Sequence, residues 1–278
     1  MTGGLSALER ALSDRIRAEE GAHSKRDRGS DTLWDHLLRV AALAERIGRA
    51  EGVDPLACRI AGLFHDAGKF GAGRYHGDDL PEEQRSVEAL RELTSGGGLD
   101  DALIEQVTEA ILQLYRDDPE PSDLARVLFD ADNLDKLGPL GVANYFVKQG
   151  LRGRGISRSM LFGLTVELTY ARHGPRCLAT ATGRELAARR ALETTRLLTD
   201  LLEQLREDGL HDFRIEVVEF EGLELEVVAP AACECGSDLA RRIWEVPGIK
   251  CSEIHLEHAC RSCESKHEIR FCRPRLLA

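Results

Sequence analysis

No run of apolar residues in this chain approaches the ~18 that a bilayer-spanning helix needs, so no membrane-spanning helix is expected. The opening residues, MTGGLSALERALSDRIRAEE, lack a charged segment followed by an apolar one, so no secretory leader is evident and a cytoplasmic location is expected. Basic charge is in deficit: 37 Lys and Arg face 48 Asp and Glu, a net charge of −11. That balance disfavours nonspecific binding to a polyanion such as duplex DNA. A small phosphorylated substrate stays compatible, because a local metal overrides the global field. Cysteine is almost missing from the first 230 residues, with only Cys58 and Cys177, whereas six crowd the last 46. What remains is ordinary for a globular protein: 278 residues, 42% hydrophobic and 31% charged, enough for one sizeable core and a small second domain.

Residues 5 to about 207 carry helical patterns almost throughout. From Thr32 to Arg49, Leu33, Leu37, Val40, Ala44 and Ile47 form one face of a 3.6-residue period, and His36 falls within that face. The next helix has Asp54 as N-cap and Pro55 in its first turn, with Gly68 as its stop. That places His65-Asp66 in the last turn. A Gly-rich loop, residues 71–77, follows, and a helix restarts near Pro81. Another helix is expected from Ser122 to Leu137. At 100° per residue, Asp132 lies between Leu128 and Phe129 on its apolar arc and Asp130 points nearly the opposite way; a shifted helix boundary would reverse the two.

A His beside an Asp at the end of an apolar helix offers one divalent cation a neutral nitrogen and a hard oxygen. His36 stands 29 residues before His65, and Asp132 stands 66 residues after Asp66. A cation held by two His and two Asp polarises a phosphoryl oxygen and lowers the pKa of bound water from ~15.7 towards neutrality. Lys69, just past the dyad, is a candidate point charge for a phosphoryl oxygen or a snorkelling surface residue, and Arg74 and Arg85 are further candidates for substrate contact. Glu82 is suited to a capping box with Asp79, which leaves Glu83 as the freer proton-transfer candidate. His76 is a loop residue or a contact to substrate or a second metal. Asp130 and Asp135 are expected to be solvated or capping residues, and His36 alone has the alternative of a satisfied core histidine.

His36, His65-Asp66 and Asp132, together with Asp130-Ala131-Asp132-Asn133-Leu134-Asp135-Lys136-Leu137-Gly138 and Thr182-Gly183-Arg184-Glu185-Leu186-Ala187-Ala188-Arg189-Arg190, resemble the HD-domain superfamily of metal-dependent phosphohydrolases. The resemblance covers roughly residues 30 to 205. It implies a helical bundle and a phosphatase or phosphodiesterase acting on a small, nucleotide-like phosphorylated substrate. It also implies one divalent metal, with Mn, Ni, Co, Mg, Fe and Zn not distinguished. Many members carry two extra His ligands and two metals. Here the comparable stretches, Glu83-Gln84-Arg85-Ser86-Val87 and Ile111-Leu112-Gln113-Leu114-Tyr115, have none, which favours a mononuclear site over the oxygenase and cyclic-dinucleotide branches.

Beyond Gly209 the period changes. Residues 215–220 and 223–228 alternate around Glu221-Gly222, a hairpin signal, and two more short strands are expected around Ile254 and Ile269. Cys233-Glu234-Cys235 and Cys260-Arg261-Ser262-Cys263 form two close-spaced pairs that resemble a zinc ribbon, with one structural Zn²⁺ held by Cys233, Cys235, Cys260 and Cys263. Cys251 and Cys272 are core thiols or replacement ligands; disulfides are disfavoured on compartment grounds. Residues 210–278 hold 13 acidic and nine basic side chains, net −4, so a structural cap, a protein partner or self-association is favoured over nucleic acid. The expected architecture is thus mainly α: an HD-type helical domain over 1–208 and a small β-rich zinc-ribbon-like domain over 209–278. The rival reading is a catalytically quiet nucleotide sensor that signals through the zinc module; the complete ligand set and Lys69 favour the enzyme.

Overall fold

The computed structural model describes residues 2–23, 32–70, 80–114, 120–248 and 251–274. Within them lie nine helices and five strands: α1 (Thr2–His23), α2 (Thr32–Glu51), α3 (Pro55–Phe64), α4 (Glu82–Thr94), α5 (Asp101–Gln113), α6 (Asp123–Asp135), α7 (Gly138–Leu151), α8 (Arg158–Cys177), α9 (Ala181–Glu207), β1 (Phe213–Phe220), β2 (Leu223–Pro230), β3 (Leu239–Val246), β4 (Glu253–Cys260) and β5 (Lys266–Cys272). None of the described helices is long and apolar enough to cross a membrane. The chain divides into two compact units, one of residues 1–135 with Ala179–Gly183, the other of Lys136–Leu178 with Arg184–Ala278.

In the first unit, α2 packs on α3 and α6, and α3 on α5 and α6. Leu37, Val40, Ala41 and Ala44 of α2, Ala57, Ile60, Ala61 and Phe64 of α3, and Val127, Leu128 and Ala131 of α6 are fully buried there. The Asp54 carboxylate accepts from Leu56 N–H and Pro55 occupies the first turn of α3, as the capping pattern requires. Gly68 acts differently from a left-handed helix stop, since it is absent from the glycines with positive φ. Its role is closeness: a Cβ there would lie 2.5 Å from Arg85 Cβ and 2.6 Å from Glu82 O, so only glycine lets this turn rest on α4.

In the second unit, α8 is apolar on two sides. Met160, Leu161, Leu164 and Leu168 join Leu198, Leu202 and Leu205 of α9 with Phe213 and Val228. Phe162 joins Leu223, Leu225 and Val227 of β2, Ile254 and Leu256 of β4, and Phe271 of β5. β1 and β2 pair antiparallel from Phe220↔Leu223 to Phe213↔Pro230, and Glu221 and Gly222 take φ of 47° and 77°, the left-handed pair of a two-residue hairpin turn. The Thr165 and Thr169 hydroxyls of α8 accept from Val228 N–H and Glu226 N–H, so α8 satisfies amide groups on the side of β2 away from β1.

The three remaining strands pair antiparallel in the order β3-β4-β5. Cys251 and Cys272 are bonded to each other, contrary to the expectation of core thiols or ligands. Register is the cause: Glu253 lies opposite Cys272, which brings the Cα atoms of Cys251 and Cys272 to 5.8 Å, within disulfide reach.

Candidate metal centre

Small residues set the crossing of α2 and α3. A Cβ on Gly62 of α3 would lie 2.5 Å from Ala41 Cα, and one on Gly48 of α2 would lie 2.3 Å from Cys58 Sγ. Side chains farther along this antiparallel crossing therefore meet: His36 from α2, and His65 and Asp66 from the turn after α3. His36 Nε2 is 3.5 Å from Asp132 Oδ1 and 3.7 Å from Asp66 Oδ2. His65 Nε2 is 3.7 Å from Asp66 Oδ1 and 3.8 Å from Asp132 Oδ1. One donor atom each from His36, His65 and Asp132 lies within 4.8 Å of the others. Donors bonded at roughly 2.1 Å to one cation would stand about 3.0–3.4 Å apart, slightly closer than these.

The fit to a metal rests on His65. Its Nδ1–H donates to the Gly62 carbonyl at 2.8 Å, which leaves Nε2 as the lone-pair nitrogen. That Nε2 is buried without a hydrogen-bond partner. An unsatisfied buried nitrogen costs about 1–3 kcal/mol, which coordination would remove. His36 has the complementary arrangement: Nδ1 bonds Asp135 Oδ2 at 2.8 Å, so Nε2 faces Asp132 and Asp66.

The charges are tightly balanced. Burial alone would raise the Asp66 carboxyl, but Lys69, His65 and His36 outweigh it and hold the pKa well below the ordinary carboxylate range. Burial likewise opposes charge on His65, yet Asp66 and Asp132 raise its pKa overall. Asp135 is pulled down to about 2, against burial, by its hydrogen bonds to His36 and Arg39.

α4 fixes the backbone that carries the dyad. Ser86 Oγ donates to His65 O at 3.0 Å and accepts from Gly68 N–H at 2.9 Å. Arg85, a candidate for substrate contact, is buried, and its Nε donates to Gly68 O at 2.8 Å. Lys69 Nζ contacts Asp66 Oδ2 and lies 3.8 Å from Glu82 Oε1. Glu82 is thus drawn to the lysine beside the dyad. Arg74, His76 and Asp79, and with Asp79 the capping box, lie outside the described residues.

Of the two aspartates expected to be solvated or capping, one takes the capping role and the other departs from both. Asp130 is fully buried and accepts from Ala179 N–H, Thr180 N–H and Thr180 Oγ1–H at 2.7, 2.8 and 2.6 Å, so it caps but is not solvated. Asp135 is 5% exposed and binds His36 and Arg39. Spacing carries only part of the signal for it, namely which residues share a face. His36 and Arg39 are three apart, as are Asp132 and Asp135, so each pair shares a helical face.

In the second unit, Cys233 Sγ lies 3.4 Å from Cys263 Sγ and Cys235 Sγ 3.5 Å from Cys260 Sγ, and all four sulfurs lie within 4.8 Å of one another. Each pair rides a turn closed by a left-handed residue, Gly236 at φ 83° and Glu264 at φ 58°. Four thiolates at Zn–S bond lengths of ~2.3 Å would stand about 3.8 Å apart, so the cluster has the size for a closed tetrahedral shell.

Residues 33–137 match the family model of the HD domain. A Bacillus subtilis (strain 168) protein, YpgQ, is 30% identical over 137 residues, 47% of this chain and 63% of that protein, so the chain spans less than two thirds of that relative. Among solved structures, Bacillus subtilis YpgQ in complex with ADP is similar at 27% identity and a TM-score of 0.49, over 71% of this chain and 96% of that one. A Lactobacillus plantarum protein is similar at 18% identity and a TM-score of 0.52, over 75% of this chain and 99% of its own, a likeness of fold alone.

Proposed function

We propose, from the premise that residues 33–137 of this chain are an HD domain, that the protein is a metal-dependent phosphohydrolase acting on a small phosphorylated, nucleotide-like substrate. The observation that carries the reading is the buried Nε2 of His65, which makes no hydrogen bond and faces Asp66 and Asp132 in the group they form with His36. These four are the proposed ligands of one divalent ion. When bound, that ion would polarise a phosphoryl oxygen and acidify a water molecule.

The chain's own residues supply the rest. Asp66 and Asp132 offset the cation's charge, and His36 and His65 add neutral donors. Lys69 exchanges its contact with Asp66 for a phosphoryl oxygen when substrate enters. Glu82 steadies that ammonium, while Glu83 is kept as the proton-transfer candidate and Arg74 as a further substrate contact. Arg85 acts from beneath, through the Gly68 carbonyl. The proposed division is an HD-type domain over 1–208 and a Cys-rich domain over 209–278. In the latter, Cys233, Cys235, Cys260 and Cys263 hold one structural Zn²⁺ for partner docking or self-association. A cytoplasmic location belongs to the same reading, and the Cys251–Cys272 bond, which favours an oxidising compartment, is the observation against it.

Purified protein is to be screened with Mn²⁺, Ni²⁺, Co²⁺ and Mg²⁺ against nucleoside mono-, di- and triphosphates and simple phosphomonoesters. Expected are metal-dependent phosphate or pyrophosphate release and loss of turnover in Asp66→Ala with the helical circular dichroism retained. Turnover unchanged in Asp66→Ala would place the chemistry elsewhere. Nucleotide binding without turnover, whatever the metal, would favour the sensor.

A further inference from the structure

We infer that Asp135, held in place by Arg39, is a positioning residue that sets the metal affinity of the centre through His36, an inference that rests on the reading of His36 as a ligand. The two histidines are held by unlike partners. His65 gives its Nδ1–H to a neutral carbonyl, that of Gly62, at 2.8 Å. His36 gives its own to a carboxylate, Asp135 Oδ2, also at 2.8 Å. A carboxylate partner fixes the tautomer as a carbonyl does, and in addition makes the other ring nitrogen a stronger donor. Of the two imidazoles, His36 is therefore the better electron donor.

Arg39 makes the arrangement directional. Its Nε donates to Asp135 Oδ1 at 2.7 Å and a terminal nitrogen to Oδ2 at 3.0 Å, a two-point grip that fixes the carboxylate plane. The Asp135 side chain is 6% exposed, so little water competes for it. The matching three-residue spacings, His36/Arg39 on α2 and Asp132/Asp135 on α6, put ligand against ligand and support against support across one helix contact. Asp132 and Asp135 thus divide the work on a single face. One offers oxygen to the centre, and the other aims the imidazole beside it.

The test uses full-length, zinc-replete protein and Mn²⁺, a hard ion that prefers N and O donors to the thiolate cluster. Free Mn²⁺ is followed by electron paramagnetic resonance during titration of wild type, Asp135→Asn, Asp135→Ala, Arg39→Met and His36→Ala. Asp135→Asn keeps an acceptor for His36 but loses the charge, and is expected to weaken Mn²⁺ binding about 10-fold; Asp135→Ala loses both and is expected nearer 100-fold. Arg39→Met should weaken binding in the same direction by less. If Asp135→Asn lowers stability but binds Mn²⁺ as wild type does, while His36→Ala loses binding, Asp135 is merely structural and the inference fails with the proposed function intact. If His36→Ala binds as wild type does, the ligand reading fails and takes this inference with it. Should the Asp135 variants not fold, Arg39→Met with intact circular dichroism decides, and an unchanged Mn²⁺ affinity in it overturns the inference.

Discussion

Asp130, Asp132 and Asp135 sit within six residues of α6 and do three different things. Asp130 faces Ala179 and Thr180, whose N–H and O–H groups it accepts, and its Oδ2 would lie 2.2 Å from a Cβ on Gly183. Asp130→Ala leaves three donors without their acceptor, so a loss of about 3 kcal/mol or more is expected in urea unfolding, with the Mn²⁺ affinity changed far less than in Asp66→Ala. A variant as stable as wild type would refute that account. Asp135 makes a pH prediction. Its pKa near 2, below the ordinary 3.8, means that its bonds to Arg39 and His36 add stability that is present above pH 4 and lost as pH falls through 2. The shift corresponds to about 2 kcal/mol at neutral pH, falling to roughly half by pH 3. The stability gap between wild type and Asp135→Asn should narrow accordingly; a gap equally wide at pH 3 and pH 7 would assign the loss to packing. From its helical angle Asp132 was legible as facing the apolar arc, but the same angle put Asp130 nearly opposite, and Asp130 is buried as well. The burial of Asp135 was not legible, because the apolar arc of one helix does not say which polar residues face another helix's histidine and arginine.

At the scale of elements, the centre depends on how closely α2 and α3 approach. Gly62→Ala would ordinarily favour a helix, but its Cβ would meet Ala41 Cα at 2.5 Å and Ala41 N at 2.7 Å, both backbone atoms that cannot turn aside. The expected result is a net loss of about 1–3 kcal/mol by chemical denaturation, with weaker Mn²⁺ binding as His36 and His65 are pushed apart. Retained affinity in a folded Gly62→Ala protein would show that the helices slide without disturbing the ligands. α2, α3 and the β1–β2 hairpin were readable because their signals are local: an apolar period, an Asp-Pro start, alternating strands around Glu221-Gly222. β3 was not readable. Arg241 and Arg242 interrupt its alternation, and its support is tertiary: Arg241 Nε bonds His258 Nε2 at 3.0 Å, Arg242 lies 4.9 Å from the Trp244 ring centre, and Trp244 stacks on His255. Gly68 marks a boundary for a reason no local window holds, the close approach of α4.

Across the whole molecule the eight cysteines sort into three chemical kinds, and that sorting is testable in one experiment. Cys58 and Cys177 are buried, which pushes their thiols up to about 12 and about 11, so neither is a nucleophile at neutral pH. Cys251 and Cys272 are joined where β4 begins and β5 ends. Cys233, Cys235, Cys260 and Cys263 gather at the opposite end of the same three strands, before β3, at the end of β4 and before β5. The short sheet is therefore fastened at both ends, by a covalent bond at one and by the proposed zinc at the other. Such fastening suits a sheet whose own apolar core is small. Native protein treated with a mild reductant and a small alkylating reagent should be labelled at Cys251 and Cys272 alone. A strong chelator should release one zinc per chain and open Cys233, Cys235, Cys260 and Cys263 to the reagent, while Cys58 and Cys177 react only after denaturation. Mass spectrometry of the labelled peptides reads all three steps. Labelling of the four clustered cysteines without chelator, or the absence of zinc from the purified protein, would mean that the cluster is not a metal site and that the sheet is held by its packing and its disulfide alone.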